Sequence, residues 1–233
     1  MILAVLQSRM TSARLPGKAM APLRGEPMVW RQVERIRQAR SLSKLIVATS
    51  VEPVDDPLAA FLVSRGQAVL RGAAGNLSER FARALEAAGP VSHVVRIKGD
   101  CPFVDPAIID KVVREALDSG AAYASNRRLR SYPRGLEVEV ATAGALGVAL
   151  AATDPEDAAT ASPFARVREQ AQPQAHCVAP RDLSGLDWRV KTPADYGFAR
   201  AVYDALYDAD PGFSMQDVLD IIQGRQDLAR WAA

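Results

Sequence analysis

The sequence contains only two cysteines and two histidines, which argues against a disulfide scaffold and a structural zinc site. Its two cysteines, Cys101 and Cys177, form neither a C-x-x-C pair nor a Cys/His cluster. A disulfide scaffold or a structural zinc site is therefore not expected. So few cysteines fit a reducing compartment, and we expect the protein to be cytoplasmic.

Long apolar runs and a large charge excess are also absent. No apolar run approaches the roughly 18 residues that a membrane-spanning helix needs, and the first begins at Ile2, which leaves no room for a signal peptide. We therefore expect no membrane association. The formal net charge is only +2, whereas a general nucleic-acid binder is usually far more basic, so no nucleic-acid partner is expected.

The composition is that of an ordinary globular protein, with 48% hydrophobic and 24% charged residues. The length allows one domain with a substantial core, and we predict a single domain over residues 1–233. Apolar runs alternate with amphipathic stretches, which predicts an α/β fold with a mostly parallel sheet. The predicted strands are 2–6, 44–49, 67–70, 93–97, 121–124, 137–140, 176–179 and 187–190. The predicted helices are 28–39, 58–64, 77–88, 107–119, 143–151, 193–205 and 215–222, with a turn at 154–157 and N-caps at Asn76, Asp105 and Thr192.

A basic loop directly follows the first predicted strand. It carries three cations, Arg9, Arg14 and Lys18, together with three hydroxyl side chains and one glycine. Arginine and lysine neutralise phosphate oxygens, while hydroxyl and backbone N–H groups supply neutral donors. A solvated basic turn is the alternative interpretation. Because parallel sheets bind ligands at the carboxyl ends of their strands, the position of this loop favours a polyphosphate site.

A second polar segment follows the fourth predicted strand and extends from Lys98 to Pro106. Gly99 permits a close backbone turn, and Asp100 is then expected at the same sheet edge as the basic loop. Mg²⁺ prefers one or two carboxylates together with phosphate oxygens and water, so Asp100 is a candidate metal ligand. The alternative is that Asp100 only caps the following turn, although Asp105 is better suited to cap the next helix.

Both segments resemble those of a known family. The segment from Gln7 to Lys18 reads Q-S-R-M-T-S-A-R-L-P-G-K and is similar to the signature loop of the sugar cytidylyltransferases. Within that family it resembles most the SpsF-type group, which is named for spore coat polysaccharide biosynthesis. The CMP-Kdo and CMP-sialate synthetases are related groups. The segment lacks the Walker A spacing. Arg96 to Pro106 resembles the family segment R-x-x-G-D-C-P-L-x-D-P except at Phe103. The resemblance implies a Rossmann-like three-layer α/β/α nucleotidyltransferase fold, of the nucleotide-diphospho-sugar transferase type, whose loop wraps the triphosphate of CTP.

A third segment, residues 125–140, resembles the family's S-N…Y-P-D-G-L-D-V-E-V, which lines the sugar pocket. Arg134 stands where family members usually carry an acidic residue, which leaves room for a different acceptor. The local cluster of basic side chains is either a solvated loop or a site for an acidic acceptor. The cluster consists of Arg127, Arg128, Arg130 and Arg134.

The motifs and the resemblance together give a set of candidate site residues. The predicted nucleotide-binding residues are Leu6, Gln7, Ser8, Arg9, Ser12, Arg14, Gly17, Lys18, Arg71, Asn76, Arg80, Arg96 and Gly99. The predicted acceptor-binding residues are Ser125, Asn126, Tyr132, Gly135, Glu137 and Glu139. The predicted catalytic residues are Arg9, Lys18, Asp100 and Lys191, and Asp100 is the predicted ligand for Mg²⁺.

Two later segments depart from the family pattern. Trp188 to Asp195 resembles W-x-V-D-T-P-E-D, in which the central aspartate completes the metal site, but Lys191 occupies that position. Two interpretations are open. The ammonium of Lys191 can supply part of the positive charge that a metal ion would otherwise place near a triphosphate. Alternatively, catalysis has decayed and the domain only binds a nucleotide or sugar. The region 162–170 matches S-x-x-D-R-E-H-V-T-P only at Arg166 and Glu169 and lacks the histidine. The complete basic loop favours an active enzyme.

The resemblance implies an Mg²⁺-dependent nucleotidyltransferase. Such an enzyme uses CTP to activate an acidic or modified sugar, or a similar acceptor, and releases pyrophosphate. The activated sugar would serve the synthesis of a surface polysaccharide or glycan. Neither histidine is well placed as a general base, so we expect the metal to activate the acceptor. By analogy alone the protein is a homodimer, with residues 142–180 as a lid or dimerisation segment. Two alternatives stay open: a catalytically degenerate homologue that binds nucleotide or sugar, and a glycosyltransferase of related fold. The second usually has an Asp-x-Asp motif, which is absent at Asp100.

Overall fold

The computed structural model describes residues 1–152 and 162–231, so the predicted turn at 154–157 lies outside the described residues. The strands in the described part of the chain are β1 (Ile2–Gln7), β2 (Pro22–Leu23), β3 (Glu26–Pro27), β4 (Lys44–Ser50), β5 (Val69–Gly72), β6 (His93–Lys98), β7 (Tyr123–Ser125), β8 (Glu139–Thr142) and β9 (Gln174–His176). The α-helices there are α1 (Met28–Ile36), α2 (Asp56–Ser64), α3 (Leu77–Ala88), α4 (Pro106–Ser119), α5 (Ala143–Ala151), α6 (Pro163–Gln170), α7 (Pro193–Leu206) and α8 (Met215–Gly224). No helix in these ranges combines the length and apolar character needed to cross a membrane.

Seven of the strands form one sheet in the order β5–β4–β1–β6–β8–β7–β9, while β2 and β3 pair separately. Strands β5, β4, β1 and β6 are parallel, and β8 runs antiparallel to both of its neighbours. The carboxyl ends of β1, β4 and β6 therefore share one edge with the amino end of β8. At this edge Arg96 of β6 is in register with Glu139 of β8.

The alternation of side chains along β1 divides the core into two layers. Ala4 and Leu6 belong to the layer built with α1, α2, α4, α7 and α8, whereas Leu3 and Val5 belong to the layer built with α3, α5 and α6. All four side chains are almost completely buried. The mostly parallel sheet between two helical layers confirms the predicted three-layer α/β/α fold.

The helix starts follow local capping chemistry. The side chains of Asn76, Asp105 and Thr192 each accept a hydrogen bond from a backbone N–H in the first turn of α3, α4 and α7, as predicted. Thr192 and Asp195 form a reciprocal capping box.

Several predicted ends differ from the observed ones: the helix predicted at 28–39 ends at Ile36, and some strands are displaced. The strands predicted at 67–70, 121–124 and 137–140 lie one or two residues later, and the strand predicted at 176–179 lies earlier, at β9. The strand predicted at 187–190 was wrong. The N–H groups of Trp188 and Val190 donate to the carbonyl groups of Arg134 and Asp100, which belong to different segments, so no ladder forms.

Candidate functional site

The loops after β1 and β6 approach each other closely at the carboxyl edge of the sheet. The N–H of Gly99 donates to the carbonyl oxygen of Gln7 at 2.7 Å. A Cβ atom on residue 99 would lie 2.5 Å from that oxygen and 3.0 Å from the Cα of Ser8. Glycine is needed here because no other side chain fits without moving backbone.

The basic loop between β1 and the turn at Gly17 is held by backbone contacts. The N–H of Gly17, whose φ is +75°, donates to the carbonyl oxygen of Met10 at 2.8 Å. The N–H of Met10 in turn donates to the fully buried carboxylate of Asp55 at 2.6 Å. Asp55 also accepts hydrogen bonds from the backbone N–H and the hydroxyl of Ser50. The loop is thereby fixed to the end of β4.

A polar cleft of about 350 Å³ lies beside this loop. Its lining residues are Gln7, Ser8, Arg9, Thr11, Ser12, Ala13, Arg14, Lys18, Arg96, Lys98, Gly99 and Asp100. Within the described chain, the side chains of Arg9, Arg14 and Lys98 make no hydrogen bond and no ion pair. Asp100 is the carboxylate in the lining, so the cleft carries a surplus of positive charge that suits an anionic ligand.

Lys18 connects the basic loop to the segment that precedes Lys191. Its Nζ donates to the carbonyl oxygen of Val190 at 2.7 Å, and the N–H of Val190 donates to the carbonyl oxygen of Asp100 at 2.8 Å. Burial lowers the pKa of Lys18, and the negative charge of Asp100 partly opposes that shift. The structure thus brings the predicted catalytic residues Lys18 and Asp100 together.

A second cavity, of about 280 Å³, shares Gln7, Ser8 and Arg9 with the cleft. Its other lining residues are Ala48, Ala74, Gly75, Leu77 and Arg80. Three polar atoms of its lining residues, Gln7 Nε2, Ser8 Oγ and Arg80 Nε, are buried without a hydrogen-bond partner. An unpaired buried polar atom costs folding free energy, so the side chains beside this cavity are polar and incompletely satisfied by the fold.

Of the nucleotide-binding residues predicted in the region of β5 and α3, one borders the second cavity and two do not. Arg80 borders the second cavity and donates at 3.1 Å to two carbonyl groups of the preceding loop. Asn76 instead caps α3 by accepting from the N–H of Glu79 at 2.8 Å. Arg71 pairs with Asp56 at 2.5 Å. Neither Asn76 nor Arg71 lines the cleft or the second cavity.

Glu139 is the centre of a buried charge cluster. Its carboxylate accepts hydrogen bonds from Arg96 at 2.5 Å, from Arg168 at 3.0 Å, from Arg127 at 3.4 Å and from the hydroxyl of Tyr123 at 2.8 Å. Burial alone would raise the pKa of Glu139, but the three guanidinium groups hold it below its usual value. Three arginines around one glutamate leave the cluster with a surplus of positive charge.

This cluster adjoins the cleft, because Nε of Arg96 donates to the side-chain oxygen of Gln7 at 3.1 Å. Arg168 lies on α6 and was not among the predicted site residues. Counted from Ser162, it occupies the place of the histidine in the resembled segment. At the position of the missing histidine the chain therefore has an arginine that reaches Glu139.

Two predicted acceptor-binding residues use their polar groups inside the fold. The amide of Asn126 makes hydrogen bonds of 2.7 and 2.8 Å to the backbone of the segment before β8. The hydroxyl of Tyr132 accepts from Nζ of Lys111 at 3.1 Å. These contacts shape the loop between β7 and β8. Ser125, by contrast, is in register with Glu139 and lies at the site edge of the sheet.

Gly135 and Glu137 lie on the Asp100 side of the site. Gly135 has a φ of +105°, and a Cβ atom there would lie 3.2 Å from the backbone nitrogen of Arg189. The N–H of Gly135 donates to the carboxylate of Glu137 at 2.8 Å. The hydrogen-bonded partner of Arg189 raises its pKa, and the charges of Glu137 and Asp100 add to that rise. Glu137 therefore holds the Gly135 turn, and its charge acts on the same guanidinium as the charge of Asp100.

The family model for cytidylyltransferases matches residues 3–223, a range that contains both cavities and the Glu139 cluster. The chain belongs to the cytidylyltransferase family. The spore coat polysaccharide biosynthesis protein SpsF of Bacillus subtilis is 36% identical over 149 residues, which are 62% of this chain and 60% of that protein. A 3-deoxy-manno-octulosonate cytidylyltransferase of Anaeromyxobacter dehalogenans is 33% identical over 129 residues, 54% of this chain and 51% of that protein. The chain thus spans about half to three fifths of the length of the curated relatives it matches.

Solved structures of cytidylyltransferases share the fold. One from Leptospira borgpetersenii has a TM-score of 0.88 at 24% identity, covering 97% of this chain and 95% of that chain. CMP:2-keto-3-deoxy-manno-octonic acid synthetase, solved with CTP, has a TM-score of 0.60 at 17% identity, covering 88% and 98%. At these identities the likeness shows the fold alone. The predicted family and the predicted nucleotidyltransferase fold are both confirmed.

The chain has a cation, Lys191, at the position where the resembled segment has its second metal-binding aspartate. The ammonium of Lys191 pairs with the carboxylate of Asp187 at 2.7 Å, and its backbone N–H donates to Asp195 at 3.0 Å. In the described ranges, no three His, Cys, Asp or Glu side chains are grouped so that they could hold a metal ion. Asp100 is the carboxylate available to a metal in the cleft.

Proposed function

We propose that the chain is a cytidylyltransferase enzyme, which transfers CMP from CTP to an oxygen of an acidic, sugar-like acceptor and releases pyrophosphate. One observation carries the proposal. Among the described residues, the cleft cations Arg9, Arg14 and Lys98 have no partner, and Asp100 is the carboxylate beside them. The packing of the fold does not require these cations, whereas a triphosphate pairs with them. Family membership supports CTP as that triphosphate.

The cations of the cleft act on the leaving group. The acceptor oxygen attacks the α-phosphorus of CTP, the bond from that phosphorus to the bridging oxygen of the β-phosphate breaks, and the acceptor proton passes to water. Arg9, Arg14 and Lys18 bind the β- and γ-phosphates and stabilise the charge that develops on pyrophosphate. Lys98 adds a fourth cation to the same cleft.

The second cavity suits the cytosine base and its ribose. The lining residues Gln7, Ser8 and Arg80 carry donor groups, which suit the carbonyl oxygen and ring nitrogen that cytosine offers as acceptors. Arg80 also fixes the loop that forms the cavity wall. This arrangement supports Arg80 as a nucleotide-binding residue and gives no support to Arg71 or Asn76 in that role.

The charge of the Glu139 cluster supports an acidic acceptor. Arg96, Arg127 and Arg168 carry three positive charges against the one carboxylate of Glu139. A carboxylate on the acceptor would balance part of that surplus. Synthesis of a surface polysaccharide is the proposed setting, in keeping with the name of the Bacillus subtilis relative, a spore coat polysaccharide biosynthesis protein.

The residues of the cleft fit Mg²⁺ as the proposed cofactor. Mg²⁺ is commonly held by one or two carboxylates together with substrate phosphates and water, and Asp100 supplies one carboxylate beside four cations that bind phosphates. When bound, Mg²⁺ lowers the pKa of a coordinated hydroxyl and polarises a phosphate oxygen. The protein residues align the two substrates and neutralise the triphosphate.

A cytoplasmic homodimer is the proposed working form. Both cysteines, Cys101 and Cys177, are free, in keeping with a reducing compartment. Helix α5 within the 142–180 segment is apolar along its length, and its Val148 is 68% exposed. A second copy of the chain would cover this face. Light scattering coupled to gel filtration tests the dimer, and a monomeric mass at working concentration contradicts it.

The enzyme is tested by measuring pyrophosphate release from CTP, UTP, ATP and GTP with Mg²⁺ and a panel of carboxylate-bearing sugars. We expect release with CTP, loss of release in Asp100→Asn, and unchanged release in Asp118→Asn, an exposed aspartate on α4. Calorimetric binding of the same nucleotides separates the alternatives. Tight CTP binding without release from any acceptor indicates a nucleotide-binding homologue, and preference for a nucleotide sugar over CTP indicates a glycosyltransferase.

A further inference from the structure

Residues 187–191 alternate between the core and the site. Trp188 and Val190 are buried, with 1% and 0% of their surfaces exposed, while the three charged residues of the segment are half-buried. The backbone of Val190 is held between Asp100, to which it donates, and Lys18, from which it accepts. The charged side chains of this segment are therefore attached to a backbone that the catalytic residues themselves fix in place.

Asp187 binds both cations of the segment. Its carboxylate accepts from the guanidinium of Arg189 at 2.8 and 2.5 Å and from Nζ of Lys191 at 2.7 Å. Burial alone would raise the pKa of Asp187, but these hydrogen bonds hold it well below its usual range. Asp187 therefore stays ionised, and the three side chains together keep one positive charge. The contacts also remove rotamer freedom from Lys191, which fixes its ammonium.

The charged segment is joined to the backbone of Asp100, because the N–H of Val190 donates to the carbonyl oxygen of Asp100 at 2.8 Å. The charges of Glu137 and Asp100 both act on the guanidinium of Arg189. The same Asp187 that holds Arg189 holds Lys191. Next to Val190, whose backbone is bonded to Asp100, the chain therefore carries a cation, Lys191, where the resembled segment has a carboxylate.

We propose that Asp187 is a positioning residue that holds Lys191 and Arg189 as a fixed cation pair beside Asp100, and that this pair takes the place of a second metal-binding carboxylate. This inference rests on the proposed nucleotidyl transfer and deepens it. The enzyme works with one divalent cation on Asp100, and Lys191 supplies further positive charge for the triphosphate. A protonated ammonium cannot ligate a metal and repels a second cation at that position.

The first test measures Mn²⁺ binding by electron paramagnetic resonance, without nucleotide, in the full chain. We expect Lys191→Asp to bind Mn²⁺ at least about tenfold more tightly than the native chain, because affinity rises with the number of charged ligands. Lys191→Ala, which removes the cation without adding a ligand, is the matched control and should gain less. Asp100→Asn in the Lys191→Asp background should remove the gain, and Lys191→Glu serves as a second variant.

A gain in Lys191→Asp that needs Asp100 supports the inference. Affinity in Lys191→Asp and Lys191→Glu no tighter than in Lys191→Ala overturns it, because position 191 then does not adjoin the metal site. A gain that survives Asp100→Asn also overturns it. This measurement uses no nucleotide and no turnover, so it decides the inference even if the chain transfers no CMP. Failure to bind CTP contradicts the proposed function instead.

The second test separates positioning from mere stabilisation. In Asp187→Asn the ammonium of Lys191 loses its charged partner, so we expect kcat to fall about tenfold while the Kd for CTP changes less than about threefold. Asp187→Glu should recover part of kcat, and Asp182→Asn, an exposed aspartate in the preceding loop, should change neither value. An unchanged kcat in Asp187→Asn, or equal losses in kcat, CTP binding and melting temperature, overturns the positioning role.

Discussion

The buried carboxylate of Asp55 accepts a hydrogen bond of 2.6 Å from the backbone N–H of Met10. These residues belong to different loops, one after β1 and one after β4. Asp55 also accepts from the N–H and the hydroxyl of Ser50, at the end of β4. The basic loop therefore takes its shape partly from a carboxylate outside the loop.

Asp55→Asn replaces one carboxylate oxygen by an NH₂ group, which would face the N–H of Met10 or the N–H and hydroxyl of Ser50. We expect the free energy of unfolding to fall by about 2 kcal/mol and the Kd for CTP to rise about tenfold. Asp56→Asn is the matched control, since Asp56 is largely exposed and pairs with Arg71 on the surface. Its unfolding free energy should change by less than about 1 kcal/mol. Urea unfolding and calorimetry check both variants, and equal CTP binding in the two would contradict the role of Asp55.

Gly99→Ala tests the close approach of the loops after β1 and β6. The added Cβ would lie 2.5 Å from a backbone oxygen, so the two loops must separate, at a cost of about 1–3 kcal/mol. Turnover should fall as well, because the cleft is built from these loops. Gly197→Ala in α7 is the control, since a Cβ there meets no atom within 4 Å. That change should stabilise the protein by about 0.5–1 kcal/mol. Similar stabilities for the two variants in urea unfolding would refute the packing argument.

Arg9→Ala tests the triphosphate site. The Arg9 side chain makes no hydrogen bond and no ion pair with another described residue, so we expect stability to stay within about 0.5 kcal/mol of the native value. Turnover should fall by at least about tenfold, because one charge-stabilising donor is lost. Arg40→Ala is the control: Arg40 is exposed in the turn between α1 and β4, at the opposite edge of the sheet. Steady-state kinetics and thermal unfolding measure both, and near-native turnover in Arg9→Ala would remove the phosphate assignment.

Glu139→Gln tests the buried charge cluster through its pH dependence. The pKa of Glu139 is lower in the folded than in the unfolded chain, so its stabilisation is present above the unfolded value of 4.5 and is lost as the pH falls through the folded value. At neutral pH the variant should be about 3 kcal/mol less stable than the native chain, because three guanidinium groups lose their carboxylate.

The difference between native and Glu139→Gln stability should then shrink as the pH falls below 4.5. Urea unfolding across this pH range measures it. Glu115→Gln, at an exposed position on α4, is the control and should show no such trend. A difference that is constant with pH would show that Glu139 contributes through its shape rather than its charge.

The features predictable from the sequence are local ones. The caps at Asn76, Asp105 and Thr192 depend on residues three positions apart or fewer. The basic loop follows directly from a buried strand, and strand order then brings it to Gly99 and Asp100. The alternation of strands and helices is likewise a short-range pattern, and it was sufficient for the fold class.

The features that were missed depend on contacts distant in sequence. Asp55 and Met10 are 45 residues apart, and Arg168 and Glu139 are 29 apart, so neither pair has a local signal. Lys98 could have been found, since it adjoins Gly99 at the end of a predicted strand. Arg71 pairs with Asp56, and Asn76 caps its own helix, so these two polar residues near the site have a place in the fold whatever they bind.

Transfer of CMP from CTP to an acidic, sugar-like acceptor is tested most sharply by identifying the product. The chain is incubated with Mg²⁺, a panel of carboxylate-bearing sugars, and each of CTP, UTP, ATP and GTP labelled at the α-phosphate, and the labelled product is identified by mass spectrometry. We expect label from CTP to become covalently attached to one acceptor as its CMP derivative, with one pyrophosphate released for each transfer. Tight binding of CTP with all label recovered as unchanged CTP across the panel would contradict it.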